Sequence, residues 1–353
     1  MKIALLTIWH EYNYGAELQA YATIRILQEM GHEVEMIDLR LSDFEEKNIY
    51  GKIGRFITIF SPGERKFQQF WHTNIPRTKR YVSIEMLEKD PPKADIYMVG
   101  SDQVWNPAIT QKIYAAFFLN FGEKNIKRVS YASSFGYDTW RYPEYIDIIR
   151  PLLNRFTVIS CREESGISIL EHVFGISEVQ CVIDPTLLLE DYSAIIGKNI
   201  KKTETLVYYP LGKDEELECF SNDLAKELNL EPINCVNPQY ICRKKILWDR
   251  ASVAEWIRYI AQAQFVVTRS FHGMVFSILH KQNFAVVLSP NGRSTRITNL
   301  LMKLGIMDRV YPSFTALYSD RPWLRDINYD DVYQRLQIIR NDSKRLIENM
   351  LKE

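Results

Sequence analysis

A strand of buried type, a polar turn, an amphipathic helix and a second strand open this chain, and that order leaves few architectures available. Residues 2–8 form a nearly continuous apolar run, the pattern of a strand covered on both faces. A polar turn follows at 10–15, and residues 16–30 carry a helical period through Leu18, Ala22, Ile26 and Leu27 until Gly31 stops it. Residues 33–38 resume as a strand. Two parallel strands joined through a helix require a right-handed crossover, so the chain begins as a Rossmann-like βαβ unit.

The same alternation recurs to the far end. Strands are expected at 94–100, 128–133, 156–162 and 179–184, with a helix around 167–174. A charged stretch with Gly197, at 191–202, reads as a domain boundary. Beyond it, strands are expected at 204–209, 232–236, 265–268 and 285–288, with helices at 217–228 and 253–262. The fold class is therefore α/β, with two Rossmann-like domains of mostly parallel sheet. The first spans 1–195 and includes an insert at 41–80 that reads as helices, rich in aromatics such as Phe56, Phe60, Phe67, Phe70 and Trp71; the second spans 196–330. The last segment, 331–353, predicts a long helix with Val332, Leu336, Ile339 and Leu346 on one face, able to cross back onto the first domain.

Composition narrows the function classes. Lys plus Arg and Asp plus Glu number 44 each in 353 residues, so no bulk charge draws the chain to nucleic acid. The five cysteines, at 161, 181, 219, 235 and 242, include no C-x-x-C pair, which argues against a disulfide framework or a zinc site; no metal is expected. The opening apolar run is too short for a signal peptide, and no stretch approaches the roughly 18 apolar residues of a membrane span. A soluble cytoplasmic protein is expected.

Polar residues cluster where strands end. Phe265-Val-Val-Thr268 runs into Arg269-Ser-Phe-His-Gly273 just where a helix begins, the place at which an open α/β sheet holds its ligand. Arg269 offers a fork of donors suited to carboxylate or phosphate, and His272 lies near the positive end of the helix. A dianion arriving there would favour the protonated imidazole. The spacing is equally compatible with a helix cap and a packed histidine. Asn13, Tyr14 and Gly15 join the first strand to its helix, without the G-x-G-x-x-G of a dinucleotide site. Ser101, Asp102, Gln103 and Asn106 share one loop, which reads either as an Asp-centred turn or as a sugar-binding segment with Asp102 as base. Ser133 and Ser134 end another strand. Arg162, Arg293 and Arg296 are further cations that could meet an anion, or pair at the surface. Tyr12, Tyr14, Trp71 and Trp105 could stack on a sugar or lie in the core.

Taken in order, Asn13-Tyr-Gly-Ala-Glu-Leu-Gln-Ala-Tyr-Ala22, Gly100-Ser-Asp-Gln-Val-Trp105, Ser160-Cys-Arg162, Asp184-Pro185 and Arg269-Ser-Phe-His-Gly273 resemble the polysaccharide pyruvyl transferase family along nearly the whole chain. Where many members of the family carry Gly-Gly-Gly, this sequence has Gly100-Ser-Asp; where they carry Leu before the histidine, it has Phe271.

The resemblance implies a GT-B-like pair of domains, the first on the acceptor side and the second on the phosphoenolpyruvate side. It implies phosphoenolpyruvate as co-substrate with no other cofactor, and a sugar diol as acceptor, giving a pyruvate ketal on a cell-surface polysaccharide precursor. Arg269, Ser270, His272, Gly273, Arg162, Arg293 and Arg296 would then serve the donor, and Asn13, Tyr14, Gly15, Ser101, Asp102, Gln103, Asn106, Ser133 and Ser134 the acceptor. His272, Arg269 and Asp102 would carry the chemistry. An acceptor of galactose or mannose type, held on a lipid diphosphate, would bring the protein to the inner face of the membrane. A nucleotide-sugar glycosyltransferase of GT-B type and a non-catalytic sugar- or phosphate-binding protein are the alternatives.

Overall fold

A computed structural model of the protein describes residues 1–44, 61–237, 250–289 and 295–352; Phe56 and Phe60 of the insert lie outside them. Seven parallel strands form the first sheet: β1 (Lys2–Leu6), β2 (Glu33–Leu39), β3 (Arg77–Tyr81), β4 (Ile96–Val99), β5 (Lys127–Ser133), β6 (Val158–Cys161) and β7 (Gln180–Cys181). Their order is β3-β2-β1-β4-β5-β6-β7. β1 lies centrally with Ile3, Ala4, Leu5 and Leu6 fully buried, which is why its sequence shows no polar alternation.

β3 was not foreseen within the insert. Its sequence, Arg-Thr-Lys-Arg-Tyr, is charged because it is an edge strand with only Tyr81 buried, and charge at an edge discourages pairing with another chain. The insert's described helix is Pro62–Asn74, whose Phe67, Phe70 and Trp71 are buried.

The second sheet is also wholly parallel, in the order β12-β11-β10-β8-β9. Its strands are β8 (Thr205–Tyr209), β9 (Glu231–Asn234), β10 (Phe265–Thr268), β11 (Asn283–Val287) and β12 (Val310–Tyr311). The helices Glu215–Leu228, Val253–Gln262 and Phe271–Leu279 connect them. A capping box fixes the start of the second of these: Glu255 N–H donates to Ser252 Oγ (3.1 Å) and Ser252 N–H to Glu255 Oε2 (2.7 Å).

Two compact units result, one of Met1–Lys47, Trp71–Leu189 and Gln337–Glu353, the other of Asn48–Phe70 and Glu190–Leu336. The last helix, Tyr329–Leu351, runs from one into the other. In its later part Arg340 Nε donates to Leu187 O (2.7 Å), and Ser343 Oγ accepts from Ile183 N–H (3.2 Å). Among the described residues no helix is long and apolar enough to cross a membrane.

Gly273 lets the Phe271–Leu279 helix press onto β10. A Cβ there would lie 2.6 Å from Thr268 Oγ1 and 3.1 Å from the Tyr209 ring. Gly273→Ala should therefore lower the denaturation midpoint in urea by the equivalent of about 1–3 kcal/mol, the usual cost of overpacking.

Candidate functional site

In each sheet the strand order reverses once, and polar residues gather at both reversals. In the first sheet β1 pairs with β2 on one side and β4 on the other, so the loops after β1 and β4 face the switch point. Gln19, fully buried on the Tyr14–Glu29 helix, ties them together. Its Oε1 accepts from both Ser101 N–H (3.1 Å) and Ser101 Oγ (2.9 Å). Its Nε2 lies against Thr7 Oγ1 (2.9 Å), Ile8 O (3.1 Å) and Ala16 O (3.0 Å). Gly100 lets the loop after β4 press onto β5, since a Cβ there would sit 2.0 Å from the backbone oxygen of Tyr131.

A second buried knot lies beside it. Arg162, its side chain 2% exposed, donates to Asp184 Oδ2 (2.6 Å) and Asp102 Oδ1 (3.0 Å), with Glu163 Oε2 at 3.6 Å from its Nε. Burial works against the charged guanidinium, but the three carboxyl groups outweigh it and raise its pKa above the ordinary value. Asp102 stands on left-handed backbone (φ 60°), which a short polar side chain tolerates, and its carbonyl accepts from Ser134 N–H (2.9 Å). Ser134 Oγ donates to Glu163 Oε1, and Asp184 Oδ1 accepts from the backbone and hydroxyl of Thr186 (3.0 and 2.6 Å). Arg162 is thus held by carboxylates rather than facing an anion.

The remaining residues expected at the acceptor bond mostly within the chain. Asn13 caps its helix, its Oδ1 accepting from Gly15 N–H (3.0 Å), while Tyr14 is buried. Asn106 is fully buried, capping Ala108 N–H (3.0 Å) and donating to Gln103 Oε1 (3.0 Å). Ser133 Oγ donates to Val99 O (3.3 Å). Trp105 is core, stacked on Phe118, with its Nε1 donating to Phe117 O (3.0 Å).

Glu17 and His10, which no local pattern singles out as functional candidates, meet at the same strand end. Glu17 is fully buried, accepting from Trp71 Nε1 (2.6 Å) and Glu11 N–H (3.1 Å). Burial pushes its pKa up to about 8 against the opposing pull of these hydrogen bonds. His10 stacks on Trp71 with ring centroids 3.7 Å apart. Arg40 Nη1 approaches His10 Nε2 at 2.9 Å; a guanidinium only donates, so Nε2 accepts and the ring proton sits on Nδ1. Asp38 holds Arg40 through two bonds of 2.6 and 2.8 Å. A signal existed for Gln19, whose spacing of three from Ala16 and Ala22 puts a polar residue on the apolar face of the helix.

In the second sheet β8 pairs with β9 on one side and β10 on the other, and Arg269 follows β10 at this reversal. Arg269 Nε meets Asp214 Oδ2 at 3.0 Å, its Nη2 donates to Glu216, and its guanidinium lies 4.7 Å from the Phe314 ring centroid. Asp214 and Glu216 stand at the start of the Glu215–Leu228 helix. Ser270 caps the next helix, accepting from Gly273 N–H (3.3 Å). His272 sits in the first turn of that helix, 7% exposed, edge-on to Phe271 at 5.2 Å. Arg296 comes to 5.7 Å from the centroid of the same Phe271 ring; Arg293 is outside the described residues. A cation, a helix N-terminus and an imidazole therefore share one strand end, suited to a small anion and a proton transfer.

Residues 13–290 match the family described as polysaccharide pyruvyl transferase. No curated protein matches the chain. Among solved structures, UDP-GlcNAc 2-epimerase from Neisseria meningitidis is 12% identical with a TM-score of 0.56, covering 100% of each chain. The UDP-N-acetylglucosamine 2-epimerase from Rickettsia bellii is 12% identical with a TM-score of 0.55, covering 99% of this chain and 96% of that one. The Methanocaldococcus jannaschii UDP-GlcNAc 2-epimerase gives 12% and 0.54, covering 99% of each. At such identity the likeness is one of fold: two parallel α/β sheets and a long C-terminal helix, of GT-B-like class.

Two outcomes follow from the buried groups. Arg162→Met strands three carboxyl groups without their cation and should cost about 3–5 kcal/mol by chemical denaturation. Glu17 has its folded pKa raised above the unfolded value, so folding disfavours its ionisation. Its contribution is most favourable below the unfolded pKa and declines as pH rises toward about 8. The melting temperature of Glu17→Gln relative to the unchanged protein should therefore rise between about pH 5 and about pH 8.

Proposed function

Since the chain belongs to the polysaccharide pyruvyl transferase family, we propose that it moves the enolpyruvyl group of phosphoenolpyruvate onto a sugar diol, releasing phosphate. The observation that carries this reading is Arg269 at the switch point of the second sheet, beside the helix start that holds His272. Phosphoenolpyruvate brings a carboxylate and a phosphate, and a guanidinium fork at a helix N-terminus is suited to either.

Arg269 is already paired, and its two partners differ. Asp214 is 19% exposed and bonds Nε, whereas Glu216 is 69% exposed and bonds Nη2. An incoming anion displaces the exposed Glu216 at little cost, because solvent-screened pairs contribute roughly 0–1 kcal/mol. Asp214 then continues to orient the guanidinium.

The chemistry balances without a redox step. Protonation of the donor's methylene carbon makes C2 cation-like, and one sugar hydroxyl forms a bond to it. The C2–O bond to phosphate breaks, and the neighbouring hydroxyl closes the ketal. Of the two hydroxyl protons, one is matched by the new methyl group and the other leaves with phosphate. His272 supplies the proton that the departing phosphate takes up. Arg269 offsets the charge that develops on the phosphate oxygens.

His272→Ala should lower kcat by about 10²–10⁴-fold, the usual contribution of a positioned acid, while leaving the melting temperature nearly unchanged. Arg269→Ala should raise the KM for phosphoenolpyruvate about tenfold or more, and Glu216→Gln should lower it by removing a competing carboxylate. The assay is phosphate release with a panel of galactosides, mannosides and glucosides, together with the mass gain of a pyruvate ketal on the acceptor. Kinetics unaltered in both the His272 and Arg269 variants would overturn the reading. Turnover that needs a nucleotide sugar would replace it with a glycosyltransferase.

A further inference from the structure

The first unit contains a pocket of about 200 Å³ that none of the expected acceptor residues lines. Glu11 comes from the loop after β1, Leu41 and Phe44 from the segment after β2, and Ala108, Ile109 and Ile113 from the segment after β4. β2, β1 and β4 are adjacent in the sheet, so the pocket stands over the carboxyl ends of three neighbouring strands at the switch point. We propose that this pocket receives one uncharged monosaccharide ring of the acceptor, with Glu11 accepting hydrogen bonds from its hydroxyls. The proposal rests on the transferase reading and specifies its acceptor.

Size is the first argument. Pockets for drug-sized ligands run to roughly 300–1,000 Å³, so this one takes a single small ring and not a nucleotide sugar or an oligosaccharide. Wall chemistry is the second. Leu41, Phe44, Ile109 and Ile113 offer surface for the C–H faces of a pyranose, while the Glu11 carboxylate accepts from hydroxyl groups. Charge is the third, because the Glu11 carboxylate on the wall would repel a uronate or another acidic sugar.

The loop is built to present Glu11. His10 (φ 64°) and Tyr12 (φ 52°), on either side of it, both hold left-handed backbone, a costly conformation that persists only where the surroundings impose it. Those surroundings are the His10 stack on Trp71, the contact with Arg40 and the Glu11 N–H bond to Glu17.

The test uses saturation-transfer NMR on the full chain with methyl mannoside, methyl galactoside and methyl glucuronide, and measures phosphoenolpyruvate binding in parallel. Ala108 is exposed, so Ala108→Trp fills the pocket without entering the core. An uncharged glycoside should bind the unchanged protein at least tenfold more tightly than the glucuronide. Ala108→Trp should lose that affinity tenfold or more while keeping its melting temperature and its phosphoenolpyruvate affinity. Should the tryptophan variant fold poorly, Glu11→Gln serves instead, and must narrow the gap between neutral and acidic sugars. Equal affinity in the filled variant, equal binding of the glucuronide, an unchanged gap in Glu11→Gln or no glycoside binding at all would each overturn the proposal. Phosphoenolpyruvate bound without any glycoside sinks the pocket assignment alone, whereas glycosides bound in the pocket without phosphoenolpyruvate sink the transferase reading.

Discussion

One buried guanidinium organises the carboxyl edge of the first sheet. Arg162 follows β6, and its partners Asp102 and Asp184 follow β4 and β7, so three strand ends converge on a single cation. Inside a protein such a charge persists only with close partners, because desolvation costs several kcal/mol. The three carboxyl groups supply that pairing, and the geometry they demand holds the Gly100–Asp102 turn against β5. Gln19 extends the same logic without charge, joining the loops after β1 and β4 through hydrogen bonds to both.

The two switch points differ in the sign of the charge they offer. At the first, carboxyl groups predominate: Glu11, Asp102, Glu163 and Asp184, with Arg162 and Arg40 already paired by short bonds. Such surroundings suit a neutral, hydroxyl-rich ligand better than a phosphate. At the second, Arg269 is balanced in part by an exposed carboxylate that an anion can replace, next to the N-terminus of the His272 helix. The reaction proposed for this family member, between an anionic donor and a neutral sugar, would draw on both kinds of surface.

Much of this was legible in the sequence, and what was not has identifiable causes. The helix Val253–Gln262 and the strand Phe265–Thr268 fall where apolar period and length place them. The placement of Arg269, Ser270 and His272 was legible because a strand end and a helix start are both local features. β3 escaped because an edge strand carries charge, and β12 because its two residues are too few to show a period. Arg162 was legible as a cation at a strand end, but its partners Asp102 and Asp184 are 60 and 22 positions away in the chain.

The sequence by itself determined the class and the family. Apolar runs separated by amphipathic helices can bury their backbone only as parallel sheets, and that pattern is written locally along the chain. Tertiary structure decided which polar side chains hold the protein together and which line a cavity. Ser101, Asn106 and Ser134 are polar loop residues by any local rule, yet they are fully buried and hydrogen-bonded within the fold, whereas Glu11, another polar loop residue, lines a pocket. A side chain's partners come from distant strands brought together by folding, and the cost of burying an unpaired polar group makes those partners decide its role.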